Sequence, residues 1–247
     1  MAIKEKNMSI DLNTIIFNGY DSLKDLGVGV TAYPAIPYTN ENYEEFKVEG
    51  MDGSVIVKKG TYNNRQIEIS LVLKEFSDNN FWDKMDLIEE WLTNIEDNRL
   101  FYDRPDKCFR VKNVTLNDIK RQAYYGEGEF EVLFLCEPFR TDPEITEIDI
   151  TNNYELEYQG TKNTLPLIKV YGSGTIQLHC NKTSIQIKNV NGYIEVDSKL
   201  KQVRDKDGMG KDLDTFGDYP VFKKGTNKIS WDGSVTKVTL LFLNNYS

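Results

Sequence analysis

One histidine and three cysteines are all that this chain of 247 residues offers toward metal or nucleophile chemistry. Cys108, Cys136 and Cys180 are far apart and odd in number, and no CxxC occurs, which excludes a zinc knuckle or a dithiol redox pair. Cys136, in "EVLFLCEPF", reads as a small buried apolar residue. The lone histidine, His179, sits mid-strand in "TIQLHCN" with no GxSxG or reactive-cysteine signature near it, so no nucleophile–base–acid set can be assembled. Phosphate loops are missing too: "YGSGT" and "GMGK" lack both the spacing and the strand-to-helix setting. "RDKDGMGKDLD" opens somewhat like an EF-hand with Asp205, Asp207 and Gly208, but the intervening oxygen ligand and the closing glutamate are absent, so it reads as a surface loop. No apolar run is long enough for a membrane span, and the opening "MAIKEKNMSIDLNTIIFNG" carries no signal-peptide pattern. Basic residues are short as well. A net charge of −9 argues against binding nucleic acid by phosphate neutralisation. The expectation is a protein that is not an enzyme, with no cofactor, no metal and no membrane insertion.

What is present is β patterning. Hydrophobic residues make up 39% and charged residues 28%, which places the chain among globular proteins rather than disordered ones. "TIIFNGYDSLKDLGVGVTAYPAIPYTNENYEEF" gives a strand, a Gly-bounded turn and an extended arm, because Pro34 and Pro37 forbid helix. "EFKVEG" and "SVIVKKG" read as strands joined by a tight turn at Asp52-Gly53. In "RQIEISLVLKEF" Ile67, Ile69, Leu71 and Leu73 share one face of a half-buried strand. The period then changes. "SDNNFWDKMDLIEEWLTNIEDN" offers Ser77 and Asp78 as N-caps and puts Phe81, Met85, Ile88 and Leu92 on one helical stripe, widened by Trp82 and Trp91, with Glu89 and Glu90 facing solvent.

Beyond the helix, "GEFEVLFLCEPF" reads as a central strand ending at Pro138-Phe139, and the acidic, Pro-containing "RTDPEITEID" marks a boundary. The pattern then restarts as short strands with Gly, Asn and Lys turns, closing in "KISWDGSVTKVTLLFLNN" with a hairpin through Asp232-Gly233. The expected organisation is therefore mainly β with one helix: a β-rich domain over 1–142 and an all-β sandwich over 143–247. On such a sandwich a shallow sugar site would combine Trp231 as an aromatic platform with His179 and Asn181 as polar partners.

The ordered series of segments is similar to the distal tail proteins (Dit) of long-tailed bacteriophages, of the phage tail-component family. It runs from "FNGYDSLKDLGVGV" through "KVEGMDGSVIVKKGTYNNRQIEISLVL", "LFYDRPDKCFRVKNV" and "FEVLFLCEPFR" to "LPLIKVYGSGTIQL", "GYIEVDSKLKQV" and "FKKGTNKISWDG". Four signatures carry the resemblance: a turn with Gly50, Asp52 and Gly53; a strand start with Gly60, Tyr62 and Arg65; a strand end with Pro138 and Phe139; and a close with Gly225, Asn227, Trp231 and Gly233. The resemblance implies a tail-tube-like N-terminal domain, a β-sandwich or split barrel with one helix, followed by a galectin-like sandwich. It further implies a homo-hexameric ring at the far end of a virion tail, contacting the tail-tube protein, a tail-tip protein and receptor-binding or baseplate proteins. DNA would pass through the lumen without specific binding. Carbohydrate binding to a host cell wall is the competing reading.

Overall fold

The computed structural model describes residues 14–73, 80–117, 120–122 and 127–247. The fold is mainly β, as the patterning requires. The chain divides into two compact units, Met1–Pro143 and Glu144–Ser247.

The first unit contains strands β1 (Ile16–Phe17), β2 (Tyr20–Asp21), β3 (Val28–Val30), β4 (Glu41–Phe46), β5 (Val55–Tyr62), β6 (Arg65–Leu73), β7 (Arg99–Phe101), β8 (Cys108–Leu116), β9 (Lys120–Gln122) and β10 (Glu127–Thr141). Its helices are α1 (Ser22–Leu26) and α2 (Phe81–Thr93). The main sheet runs β2-β1-β7-β8-β10-β6-β3, with β9 also on β10. Alternation in β6 and β10 sends Ile67, Ile69, Leu71, Leu73, Phe130, Val132 and Phe134 to one side. There they meet Phe81, Met85, Ile88 and Leu92 of α2 in a single core. Burying each such side chain contributes roughly 1.5–3 kcal/mol, so the helix is held by its stripe.

Two expectations for α2 need correction. Trp91 is buried, its Nε1 donating to the Phe17 carbonyl at 2.8 Å, but Trp82 lies on the solvent side of the helix and is largely exposed. The turn of the helix carries it off the apolar stripe. Asn80 occupies the N-cap position, while Ser77 and Asp78 lie outside the described residues.

The second unit contains β11 (Thr146–Ile150), β12 (Tyr154–Tyr158), β13 (Leu167–Cys180), β14 (Thr183–Asp197), β15 (Gln202–Asp205), β16 (Thr215–Gly217) and β17 (Gly225–Phe242). Short strands were expected; β13, β14 and β17 are long and bend midway. β13 pairs with β14 and β17 along both halves, while the two halves of β14 and of β17 also take different outer neighbours. β17 takes β12 along 225–229 and β11 along 238–242, and β14 takes β16 near Ile185–Ile187 and β15 near Ile194–Asp197. Inward residues of both halves, Ile168 and Val170 with Ile176 and Leu178, share one core, so the sheet folds over into a two-layer sandwich.

Asp232-Gly233 is consequently not a hairpin. It lies inside β17, at the bend, where the register with β13 shifts between Ser173 and Gln177. Gly233 has φ +105°, and a Cβ there would stand 2.4 Å from the Thr175 carbonyl oxygen. The dipeptide turns a strand over rather than back. The Asp205–Gly208 loop is closed by Asp205. The Asp205 carboxylate accepts from the Asp207 and Met209 amides at 3.0 and 2.9 Å.

Candidate functional site

Four of the N-terminal signature residues, Tyr62, Arg65, Pro138 and Phe139, form one cluster. Arg65 opens β6 and is 5% exposed. Its guanidinium donates to the Pro138 carbonyl at 2.9 Å and lies over the Phe109 ring, 5.3 Å from the centroid. Burial, with the nearby Arg140, holds it below the ordinary arginine range. Tyr62 meets Phe139 edge-on at 4.8 Å. The reason lies in β10. Pro138 does not end that strand; the strand continues to Thr141 past an irregularity in which pairing with β8 skips from Cys136 to Arg140. Proline has no N–H for the ladder and is tolerated at such a bulge. The carbonyl it leaves off the ladder is the one that Arg65 satisfies. Tyr62, Arg65, Pro138 and Phe139 thus look into their own unit.

Of the C-terminal signature residues, Gly225 and Asn227 meet. Gly225 has φ +85°. Asn227 is buried, and its side-chain amide donates to the carbonyls of Lys223 and Gly225 at 2.7 and 2.9 Å. Its carbonyl oxygen accepts from the Lys223 amide and from Asn181 Nδ2, both at 2.9 Å. The Asn227 side chain therefore pins the turn that starts β17. Gly233 and Trp231 lie further along the same strand.

The proposed sugar-site residues are not brought together. Trp231 pairs with Leu178 and packs on the core. His179 pairs with Ser230, one residue out of phase, and therefore faces the other side of the sheet, where its Nε2 is 2.9 Å from Asp232 Oδ2. Period-2 alternation separates platform from polar partners. Asn181 serves the Asn227 turn.

A different feature stands out. Among the described residues, β4 and β5 pair only with each other, as a two-stranded sheet apart from the main one. Their connection is longer than the expected Asp52-Gly53 turn. Pairing stops at Phe46↔Val55, leaving 47–54 as the loop, with Gly50 and Gly53 at φ +81° and +85°. Gly60, φ +68°, sits where the register slips between Tyr43↔Lys58 and Glu41↔Tyr62. Both faces of the hairpin carry exposed apolar side chains: Phe46, Val55 and Val57 on one, Tyr43 and Ile56 (59% each) on the other. Cross-strand pairs Lys58–Glu41 and Lys59–Glu44 accompany them. A lone two-stranded hairpin is marginal in water, and a solvated one needs no apolar surface on either side. The sequence carried the signal in "SVIVKK", where apolar residues run consecutively instead of alternating.

A second surface is largely polar. The side of β6, β10 and β8 opposite the core presents Glu68, Glu129 and Glu131 among Gln66, Ser70, Asn113 and Thr115, together with Val72, Leu133 and Leu135. The arm with Pro34 and Pro37 borders it, leaving a groove against Gln66, Glu68, Ser70 and Leu133. Tyr33 meets Tyr102 edge-on at 5.3 Å, and Ile36 packs on the unit's core.

Among the described residues, no group of three or more His, Cys, Asp or Glu side chains is placed to hold a metal ion, and no helix is long and apolar enough to cross a membrane. No protein-family model and no curated protein matches the sequence. Solved structures do. The crystal structure of SPP1 Dit (gp 19.1), described as a paradigm of hub adsorption apparatus in Gram-positive infecting phages, is similar with a TM-score of 0.61 at 15% identity, over 96% of this chain and 100% of that one. The phage p2 baseplate in its activated conformation matches with a TM-score of 0.49 at 11% identity, over 93% and 96%. In fold, the chain is Dit-like.

Proposed function

We propose that this protein is a structural component of a phage tail, a non-enzymatic hub whose copies close into a hexameric ring at the far end of the tail tube and carry the tail-tip and receptor-binding or baseplate proteins. The observation that carries this reading is the β4–β5 hairpin. Its apolar side chains remain 41–59% exposed, on both faces, among the described residues. A second copy is the occupant that a Dit-like fold calls for. A ring is built from heterologous contacts, one patch on each subunit meeting a different patch on the next. A projecting hairpin meets that requirement because it can be sandwiched by a neighbour on both faces. Its alternating Lys and Glu pairs favour a partner surface of mixed charge, such as this chain's own, over a uniformly charged one.

The polar face of β6, β10 and β8 then serves as the lumen wall. Its carboxylates and amides, on a face not covered by α2, repel a passing polyanion rather than hold it. DNA would transit without specific contact, which suits a chain of net charge −9.

Sedimentation velocity over a concentration series, followed by negative-stain imaging of the fastest species, tests the ring. Closed rings of one size support it. A monomer at every concentration, both alone and in tails assembled with the neighbouring tail proteins, contradicts it.

A further inference from the structure

The geometry points to a docking notch at the C-terminal end of α2, shaped to take a basic side chain of a partner protein; we infer that an arginine or lysine flanked by apolar residues anchors there. The notch holds about 270 Å³ between α2 and the β1–α1 segment. That is below the roughly 300–1,000 Å³ of a site that swallows a free small ligand, and suits one side chain. Its lining combines apolar surface from Leu26, Leu87, Tyr20 and the edge of Trp91 with the carboxylates of Glu90 and Glu96. Leu87 and Tyr20 are 57% and 51% exposed, an unusual cost for two large side chains beside one another. An aliphatic stem would cover them while its charged head reaches the carboxylates.

Two independent features select a cation. α2 ends here, and no basic residue occupies its last turn, so the negative end of the helix dipole is not neutralised by the helix itself. Bases near the notch are already engaged: Lys24 with Asp21 at 3.2 Å and Arg99 with Asp97 at 2.7 Å. The rim is also rigid. Asn18 donates to the carbonyls of Trp91 and Asn94 at 3.0 and 2.7 Å and accepts from the amides of Glu96 and Asp97, both at 2.9 Å. Little ordering cost remains for a ligand. This surface lies on a different element from the hairpin, and the inference stands whether or not the ring does.

The test uses the full chain and two capped tripeptides, Leu-Arg-Leu and its uncharged counterpart Leu-citrulline-Leu, followed by NMR at the Leu87 methyls and the Trp91 indole N–H. The expected result is a saturable shift with the arginine peptide and binding roughly tenfold weaker with citrulline, the size of two exposed ion pairs. Glu90→Gln combined with Glu96→Gln should abolish the difference between the peptides while leaving the spectrum folded. Equal response to both peptides, or discrimination that survives the double variant, overturns the inference. A photocrosslinker at position 87 in assembled tails gives the second arm. Attachment to a different protein through a segment containing Arg or Lys supports the notch. Attachment only to another copy of this chain, or to nothing, refutes it.

Discussion

Replacing Phe46, Val55 and Val57 together by threonine removes one apolar face of the hairpin while keeping β-propensity and charge unchanged. These three side chains are 49%, 41% and 49% exposed. Full burial of such a side chain contributes roughly 1.5–3 kcal/mol, and about half of that is still to be gained when a neighbour covers it. The triple variant should therefore weaken each subunit contact by about 2–4 kcal/mol. At 1.4 kcal/mol per decade, that is on the order of 30- to 700-fold. The isolated subunit should hardly notice, since exposed substitutions away from special features stay within about 0.5 kcal/mol each. Sedimentation velocity reads the first quantity and thermal unfolding followed by circular dichroism reads the second. An unchanged oligomer distribution would refute the assignment of this face to assembly. A large loss of melting temperature in the monomer would show instead that the hairpin packs within its own subunit.

Further outcomes follow from the same contacts. Arg65→Ala should destabilise the first unit itself by about 2–3 kcal/mol, because it strips the Pro138 carbonyl of a charged donor and empties the space over Phe109; a normal melting temperature with weakened assembly would contradict this. Two glycine variants should separate backbone strain from collision. Gly53→Ala, with positive φ but nothing within 4 Å of the new Cβ, should cost about 1–2 kcal/mol confined to the hairpin. Gly233→Ala, whose Cβ would meet the Thr175 oxygen, should prevent the second unit from folding normally, as read by its melting transition; equal effects would refute the bend. All three thiols are buried, and burial raises each, Cys136 to about 12. Their protonated form is favoured by folding; for Cys136 this contribution to stability is complete below pH about 9 and is lost as pH rises toward 12. Alkylation followed by mass spectrometry should find them protected in native protein and reactive in denaturant; rapid native labelling of Cys136 would contradict its burial. Glu68→Lys with Glu131→Lys should turn a face indifferent to DNA into one that retains it at low salt; no retention by the variant ring in a mobility-shift assay would count against that face lining the lumen.

Much of this was legible in the sequence, and the exceptions have physical causes. The stripe of α2 and the alternation of β6 are one-dimensional periodicities, and they fixed which faces are inside. Trp82 failed because it sits next to the stripe in sequence but about a quarter of a turn from it in space. Asp232-Gly233 failed because a positive-φ glycine serves equally well to reverse a chain and to bend a strand, and only the partner β13 decides which. The Tyr62–Arg65–Pro138–Phe139 cluster joins segments more than 70 residues apart, so sequence marked its members without saying that they meet. The sugar-site triad failed on phase alone: His179 and Trp231 lie on opposite faces because their cross-strand positions differ by one.

The most direct test of the central claim is electron cryo-microscopy of the assembled tail end. The expected map shows a ring in which the 41–62 hairpin of every copy is covered on both faces by the next copy, with Glu68 and Glu131 facing the lumen. A ring whose hairpins stand free in solvent, with subunits joined through other surfaces, would contradict it.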